Sequence, residues 1–210
     1  MSNALQGNKE WLADRRGKFT GSKFKLLLNR GKGKDFTDQG FNYIRKVVAE
    51  RMGSYEFEAS SAACRWGIES EHLSIKAYGN QKNVAIEESG FIIHPDYNFT
   101  GCSVDGFVIG QKGIIEAKNP YNPANYIRYC TEEAYIIKEH GSQIYGNMWI
   151  TKADYCDFIA YDKRNKAMPL YVKRFLRDED KINKISERVN LAEDIAQEMY
   201  NDILKNDCEF

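Results

Sequence analysis

The chain has 210 residues, a hydrophobic share of 42% and equal numbers of basic and acidic residues, 30 of each. This length and composition are typical of a globular domain with a sizeable core. No apolar run approaches the length of a membrane span, and the first residues lack the hydrophobic segment of a signal peptide, so we expect a cytoplasmic protein with no membrane contact.

Hydrophobic periodicity and turn residues divide the chain into helices and strands. The predicted helices cover residues 10–15, 22–29, 37–52, 64–78, 123–149 with a break near Gly141, and 178–205. The predicted strands cover residues 84–88, 91–94, 104–109, 114–118, 155–161 and 170–175. This order predicts one α/β (α+β) domain over residues 1–210, in which helices flank a central mixed β-sheet.

The strands 104–109 and 114–118 flank a turn that begins and ends with glycine, which predicts an antiparallel hairpin. Alternation along the second strand places Glu116 and Lys118 on one face, with Ala117 pointing away. Asp105, at the start of the first strand, should lie across the hairpin near that face. A bland interpretation fits the spacing equally well: Asp105 belongs to a turn, and the other two form the solvated face of an edge strand.

Two carboxylates and an ammonium group are the groups that metal-dependent hydrolysis of a phosphodiester requires. Mg²⁺ is held by one or two carboxylates and keeps several waters. Asp105 and Glu116 would supply these ligands, and Mn²⁺ is an alternative ion. Lys118 would orient or help to deprotonate the attacking water and offset charge on the phosphate.

Other metal or disulfide chemistry is not indicated. The five cysteines contain no C-x-x-C pair, so we expect reduced thiols; they are Cys64, Cys102, Cys130, Cys156 and Cys208. The three histidines show no ligand spacing and are expected to be structural or exposed; they are His72, His94 and His140.

The charges are unevenly distributed along a chain whose formal net charge is zero. Lysine and arginine concentrate between Lys9 and Arg51, and acids concentrate after Asp178. A basic end suits a DNA duplex lying over one face, because nucleic-acid affinity depends on neutralising phosphates. A solvated helix face explains the same lysines nearly as well. Residues 31–34 are expected to form a basic loop near the DNA path and not a P-loop, since the Walker spacing is absent.

The segment 178–205 has a heptad-like stripe of apolar residues spaced by three and four. The stripe contains Ile182, Ile185, Val189, Ala192, Ala196, Met199 and Ile203. We expect a helix that packs on its own domain, because the run is short for a coiled coil.

Five blocks of sequence occur in order between about Trp11 and Asp162. They are 11–17 with 20–22, 66–67 with Glu71, 102–106, 115–118, and Gln143 with 148–151 continuing into 157–162. In this order they resemble the phage lambda-type exonuclease and viral recombinase-associated nuclease family, a branch of the PD-(D/E)XK nuclease superfamily. Val104 stands where the superfamily pattern has proline, a difference that affects backbone stiffness and no ligand. The resemblance implies a restriction-endonuclease-like core.

The resemblance also implies roles for further residues. Glu71 would face the metal site from a helix, the backbone carbonyl of Ala117 would complete the inner coordination shell, and Gln143 would hold the attacking water or the scissile phosphate. The implied grip on a 5′-terminal phosphate consists of Arg15, Thr20, Ser22 and Ser103, a guanidinium with hydroxyl donors.

Each of these residues also has a structural interpretation. Glu71 and Gln143 would then be surface residues of amphipathic helices. Thr20 or Ser22 would cap the following helix, a role compatible with phosphate binding at a helix N-terminus.

The site and the resemblance together predict a Mg²⁺-dependent deoxyribonuclease. The resemblance alone implies that it is a 5′ to 3′ exonuclease on double-stranded DNA that leaves 3′ single-stranded tails for recombination. The resemblance implies a single-strand annealing protein as partner and a homo-oligomer, with a ring-shaped trimer as one form. The alternatives are a restriction-like endonuclease and a catalytically silent DNA-binding protein on the same fold.

Overall fold

The computed structural model describes residues 8–55 and 62–207, except for the side chains of residues 63, 64, 68, 206 and 207. The helices are α1 Lys9–Arg15, α2 Lys25–Leu28, α3 Asp38–Arg51, α4 Ala62–Lys82, α5 Pro123–Thr131, α6 Glu133–Thr151 and α7 Glu179–Asp207, and a 3-10 turn covers Gly21–Lys23. The strands are β1 Phe19–Thr20, β2 Ile86–Glu87, β3 Ile92–Ile93, β4 Thr100–Cys102, β5 Gly106–Val108, β6 Gly113–Lys118, β7 Tyr155–Tyr161 and β8 Leu170–Leu176.

The larger sheet has five strands in the order β2-β5-β6-β7-β8. Strands β6 and β7 are parallel, and the other neighbours are antiparallel. A parallel pair needs a long crossover, which α5 and α6 provide. The central position of β7 explains why six of its seven residues are buried. This is the mixed sheet flanked by helices that the sequence predicts.

Alternate residues of the central strands face two apolar clusters, one on each side of the sheet. Ile114 and Phe158 belong to the larger cluster, which also contains residues of α3, α6 and α7. Ile115 and Ile159 belong to the smaller cluster, which contains Tyr78 of α4. Helices on both faces therefore leave the ends of the strands as the place where polar side chains can gather.

A second, three-stranded sheet has the order β1-β4-β3. Phe19 and Thr20 of β1 pair in parallel with Thr100 and Gly101 of β4, and Thr100 Oγ1 donates to the carbonyl of Phe19 at 2.8 Å. The sequence did not predict β1 or β4, because strands of two or three residues are too short to show alternation. The pairing brings the segment that begins at Thr20 beside the segment that leads to Asp105.

The predicted break near Gly141 is wrong. The helical stretch is interrupted at Glu132, whose φ of −125° and ψ of 81° lie outside the helical region. Asn122 caps α5 by accepting the N–H of Ala124 at 2.9 Å, one residue after Pro123 starts the helix. Gly141 is buried inside α6. A helix-interior glycine lowers propensity by only about 1 kcal/mol, which packing can offset.

The predicted helix over residues 22–29 is also divided, into the 3-10 turn Gly21–Lys23 and the short helix α2. Thr20 precedes the 3-10 turn without a side-chain capping hydrogen bond. The capping interpretation of Thr20 is therefore not what the structure has. Residues 31–34 form a turn closed by a bridge between Gly31 and Lys34.

The apolar stripe of α7 packs on the larger cluster, as the sequence predicts. Its members Ile182, Ile185, Val189, Ala192 and Ala196 are at most 3% exposed. The stripe fades toward the end of the helix, where Ile203 is 43% exposed. The helix covers α3, α6 and α2, so its apolar face is used within the chain.

Three of the five cysteines have side chains within the described residues. Cys102, Cys130 and Cys156 are free thiols. Cys208 lies outside the described residues, and so does the side chain of Cys64. Among the described helices, none combines the length and the apolar character needed to cross a bilayer.

Candidate active site

The hairpin of β5 and β6 places Asp105 against the second strand, as the spacing predicts. The backbone N–H of Asp105 donates to the carbonyl of Ile115 at 3.2 Å. The Oδ2 atom of Asp105 accepts the N–H of Ala117 at 2.6 Å. Gly110 has a φ of 77°, a conformation that glycine adopts readily, and this allows the tight turn between the strands. Asp105 is thus fixed by backbone contacts that are local to the hairpin.

Glu116 and Lys118 lie on one face of β6, again as predicted. Glu116 is 1% exposed, and its Oε1 atom pairs with Nζ of Lys118. The other oxygen, Oε2, accepts a hydrogen bond of 3.1 Å from Nδ2 of Asn147 on α6. Both oxygens of a buried carboxylate are therefore held by donors, one charged and one neutral. The edge-strand interpretation is wrong for Glu116, because β6 is an interior strand and this side chain is buried.

Glu71 reaches the same region from α4. Burial first, and then the negative charges of Asp105 and Glu88, raise the pKa of Glu71 to about 7, while the charge of Lys118 lowers it in part. A carboxylate feels neighbouring charges in this way only when they are close. Glu71 is therefore a half-buried member of the acidic group and not a fully solvated surface acid.

The electrostatics of the site indicate a shortage of positive charge. Burial raises the pKa of Glu116 to about 7; the Lys118 ammonium opposes this shift and Asp105 reinforces it. Burial lowers the pKa of Lys118, but Glu116 and Asp105 outweigh it and raise this pKa overall. The carboxylates of Glu71, Asp105 and Glu116 thus interact electrostatically with one ammonium, that of Lys118.

This donor set fits a hard divalent cation, which prefers oxygen ligands and would supply the missing charge. Within the described part of the chain, no three Asp, Glu, His or Cys side chains are already gathered as closely as a formed metal cluster would require. Asp105 and Glu116 are instead satisfied by protein donors. A cation would therefore compete with the Ala117 N–H, Lys118 and Asn147 for these oxygens.

Gln143 lies on α6 and is half buried. It precedes Asn147 by four residues, so the two side chains share a face of the helix. That face is the one from which Asn147 contacts Glu116. The role of Gln143 at a water or phosphate remains a prediction, as does the coordination by the Ala117 carbonyl.

Two of the four residues assigned to the 5′-phosphate, Arg15 and Ser103, contact Trp11. The guanidinium of Arg15 lies over the Trp11 ring, 4.0 Å from its centroid, and the indole Nε1 donates to Oγ of Ser103 at 2.8 Å. Thr20 is buried, and its N–H donates to the Tyr43 hydroxyl at 2.8 Å. Ser22 is exposed. The structure therefore joins Arg15 to Ser103 through Trp11, while Thr20 faces Tyr43.

Tyr43 is electrostatically coupled to this group. Burial raises the pKa of the Tyr43 hydroxyl to about 12, and the hydrogen bonds to Thr20 and the charge of Arg15 lower it in part. Arg15 is thus related to Ser103 by their contacts with Trp11, and to Thr20 through the effect of its charge on Tyr43.

Sequence reasoning missed Asn147 and Tyr43 as members of these sites. Asn147 carried a usable signal, since a polar residue one helical turn after Gln143 interrupts an otherwise apolar run. Tyr43 carried none, because on α3 it resembles any other residue of an apolar stripe. The indole of Trp11 belonged to a matching block but was not assigned a contact.

Comparisons with known proteins agree with this fold. Residues 10–154 match the family model of the YqaJ-like viral recombinase domain. The uncharacterized protein YqaJ of Bacillus subtilis (strain 168) is 26% identical over 139 residues, which is 65% of this chain. This chain spans only 41% of the length of that relative.

Solved exonuclease structures superpose on nearly the whole chain. The alkaline exonuclease LHK-Exo from Laribacter hongkongensis has a TM-score of 0.84 and 26% identity, covering 96% of this chain and 99% of its own. LHK-Exo in complex with dAMP gives a TM-score of 0.83 over the same shares at 26% identity. A phage related exonuclease from Haemophilus somnus 129PT has a TM-score of 0.73 and 20% identity, covering 89% of this chain and 96% of its own, which bears on the fold alone.

These matches confirm the restriction-endonuclease-like fold and the resemblance that the sequence blocks indicated. The family model covers more than half of the chain, from α1 to the turn before β7. This chain belongs to the YqaJ-like viral recombinase family.

Proposed function

We propose that this chain is a metal-dependent deoxyribonuclease that degrades double-stranded DNA from the 5′ end and leaves 3′ single-stranded tails. The observation that carries the proposal is the ion pair of Glu116 with Lys118, with Asp105 bound to the same strand across the hairpin. The half-buried Glu71 is close enough for the charges of Asp105 and Lys118 to shift its pKa. The structural match to an alkaline exonuclease supports the nuclease class.

Glu71, Asp105 and Glu116 would hold Mg²⁺, with the Ala117 carbonyl as a further oxygen ligand. When bound, the ion would polarise a phosphoryl oxygen of the substrate and lower the pKa of a water. The role of the three carboxylates is to hold the ion in a fixed place. Mn²⁺ has the same preference for oxygen ligands and would occupy the same residues.

In this proposal Lys118 acts as a positively charged ammonium beside the attacking water. Its raised pKa keeps the ammonium charged at neutral pH. A charged ammonium orients the attacking water and offsets negative charge that develops on the phosphate. The carboxylates of Glu116 and Asp105 cause this raised pKa, and a bound cation would offset their charge. Lys118 would therefore orient the attacking water or help to deprotonate it. Gln143 would provide an amide to the water or to a phosphate oxygen.

The polarity from the 5′ end is what the family resemblance implies, and the residues proposed to bind a 5′-phosphate are compatible with it. Arg15 offers a planar guanidinium held over Trp11, and Ser103 and Thr20 offer hydroxyl groups nearby. Ser22, which is exposed, would join them from the 3-10 turn when the strand end is present. The dAMP complex of LHK-Exo holds a deoxynucleoside monophosphate, the class of product that release from a strand end gives.

The assembly state and partner follow the family resemblance. We propose a homo-oligomer, with a ring-shaped trimer around the duplex as the specific form, and a single-strand annealing protein that receives the 3′ tails. Light scattering on the purified chain measures the mass of the oligomer. A trimer mass supports the ring, and a monomer at working concentration contradicts it.

The test of the activity uses linear duplex DNA labelled at either end. Wild type, Lys118→Ala and Lys112→Ala are compared in Mg²⁺ and in EDTA, on DNA with and without a 5′-phosphate. Lys112 is an exposed lysine of the same hairpin and is the matched control. We expect wild type and Lys112→Ala to release the 5′ label as mononucleotides, dependent on metal and phosphate, and Lys118→Ala to lose at least a hundredfold in rate.

The same assay separates the alternatives. Internal cuts, including cuts in circular DNA, would assign a restriction-like endonuclease. Binding to DNA with no cutting by wild type in Mg²⁺ would indicate the catalytically silent DNA-binding protein.

A further inference from the structure

We propose that Asn147 is a positioning residue for Glu116, and that it fixes Glu116 relative to the segment Thr20–Gly21–Ser22. This inference rests on the proposed function, since it concerns how the metal-binding and phosphate-binding residues are held together. Asn147 contacts neither phosphate nor metal in this proposal. It acts through the carboxylate to which it donates.

The first observation is the contact itself. Asn147 is 0% exposed, and its Nδ2 atom donates to Oε2 of Glu116 at 3.1 Å. Because a carboxylate only accepts hydrogen bonds, the amide nitrogen must face Glu116 and the amide oxygen must face the opposite way. Lys118 holds the other oxygen of the same carboxylate. Removal of the Asn147 donor would leave the Glu116 carboxylate free to rotate toward Lys118.

The second observation is the surroundings of the amide oxygen. Oδ1 of Asn147 is buried, and no hydrogen-bond partner exists for it among the described residues. It lies against Gly21, where an added Cβ would overlap it, and Cys102 Cβ would be 3.3 Å from the same added atom. A buried amide oxygen without a partner is destabilising, so this placement of Asn147 is maintained against that cost. Its geometry is therefore set by the donation to Glu116 and by the missing side chain of Gly21.

The third observation is that Gly21 belongs to a fixed segment. Thr20 pairs with β4 and donates its N–H to Tyr43, so the backbone on the N-terminal side of Gly21 is held from two directions. Strand β4 leads directly to Ser103 and Asp105. Asn147 thus stands between the segment assigned to the 5′-phosphate and the carboxylate assigned to the metal. Its side chain sets their separation.

The test measures affinity for Mn²⁺ alone, from the electron paramagnetic resonance signal of the free ion, on metal-free protein without DNA. Two single variants test the contact: Asn147→Leu, which keeps the side-chain volume and loses the donor, and Gly21→Ala. A further single variant, Asn147→Ala, is compared with the double variant Gly21→Ala/Asn147→Ala. The control is Gly146→Ala on the same helix, where the added Cβ would overlap the ring of Phe24 and not Asn147. Thermal unfolding is recorded for each variant.

We expect Asn147→Leu and Gly21→Ala each to weaken Mn²⁺ binding by about tenfold, the range for residues that orient a metal ligand. In the Asn147→Ala background, Gly21→Ala should change the affinity by less than about twofold, because the atom that its methyl displaces is gone. Gly146→Ala should lower the melting temperature, but its affinity for Mn²⁺ should equal that of wild type. A general loss of packing would weaken Mn²⁺ binding in both Gly21→Ala and Gly146→Ala.

Two results overturn the inference. One is a Mn²⁺ affinity of Asn147→Leu within twofold of wild type; the other is a Gly21→Ala penalty that is the same with and without Asn147. If Asn147→Leu does not fold, the comparison between Gly21→Ala and Gly146→Ala decides alone. A wild type that neither binds Mn²⁺ nor cuts DNA refutes the proposed function itself, before any variant is compared.

Discussion

The polar contact that anchors α4 gives a sharp prediction of stability. Asp157 on β7 is 0% exposed and accepts three hydrogen bonds, from the Tyr78 hydroxyl at 2.6 Å and from Nε and Nη2 of Arg174 at 2.8 and 2.7 Å. Tyr78 lies seven residues after Glu71, two turns along the same helix. The change Tyr78→Phe removes one hydroxyl and keeps the ring in the smaller apolar cluster.

The expected loss follows from what remains after the change. A hydrogen bond to a charged group contributes about 1.5–3 kcal/mol to the free energy of unfolding. Asp157 keeps both bonds from Arg174, so it does not become an unpaired buried charge. We therefore expect Tyr78→Phe to lower the free energy of unfolding by an amount in the lower part of that range, about 1.5–2 kcal/mol. For a chain of this length that corresponds to a fall in melting temperature of about 3–8 °C.

The assay is chemical denaturation with thermal unfolding as a second measure. Tyr161→Phe is the matched control, because Tyr161 packs against the same apolar cluster and the described residues place no hydrogen-bond partner at its hydroxyl. It should change stability by less than about 0.5 kcal/mol. Equal effects of the two changes would refute the reasoning, since only the hydroxyl of Tyr78 meets a buried carboxylate.

Three further predictions concern pH, charge and packing. Burial and neighbouring carboxylates raise the pKa of Glu71 and Glu116 to about 7, so their contribution to stability is fully present below about pH 4.5 and is lost as pH rises through 7. The melting temperature in EDTA should therefore fall more steeply from pH 5 to pH 8 for wild type than for Glu116→Gln, and equal slopes would contradict this. Arg51→Ala removes the bidentate partner of a nearly buried carboxylate on α7 and should cost about 3 kcal/mol in urea unfolding while leaving DNA binding unchanged. Ile185→Ala should cost about 2–4 kcal/mol and the exposed Ile203→Ala less than about 1, so similar costs would refute the assigned face of α7.

Arg51 illustrates how the charge pattern of the sequence can mislead. The sequence counted it among basic residues suited to a DNA path. The structure places it against Glu193, with side chains 16% and 11% exposed, and its Nε atom donates to the carbonyl of Gly17. A lysine or arginine near the N-terminal end of the chain therefore need not face solvent. Burial and partners, which depend on α7, decide its role.

The sequence by itself determined the features that depend on near neighbours. The hairpin geometry of Asp105, Glu116 and Lys118 follows from alternation and a tight turn within 14 residues, and the apolar face of α7 follows from helical spacing. Ordered motif blocks also indicated the family. These signals survive without a tertiary structure because strand and helix periods fix which side chains share a face.

Only the tertiary structure decided the contacts between distant segments. Asn147 meets Glu116 across 31 positions, Tyr78 meets Asp157 across 79, and Thr100 meets Phe19 across 81. The shortage of positive charge around the three carboxylates arises from the same folding, because pKa values depend on burial and on charges brought close in space. No periodic pattern encodes such pairs. They exist because two layers of helices and a mixed sheet place the ends of separate strands and helices at one point.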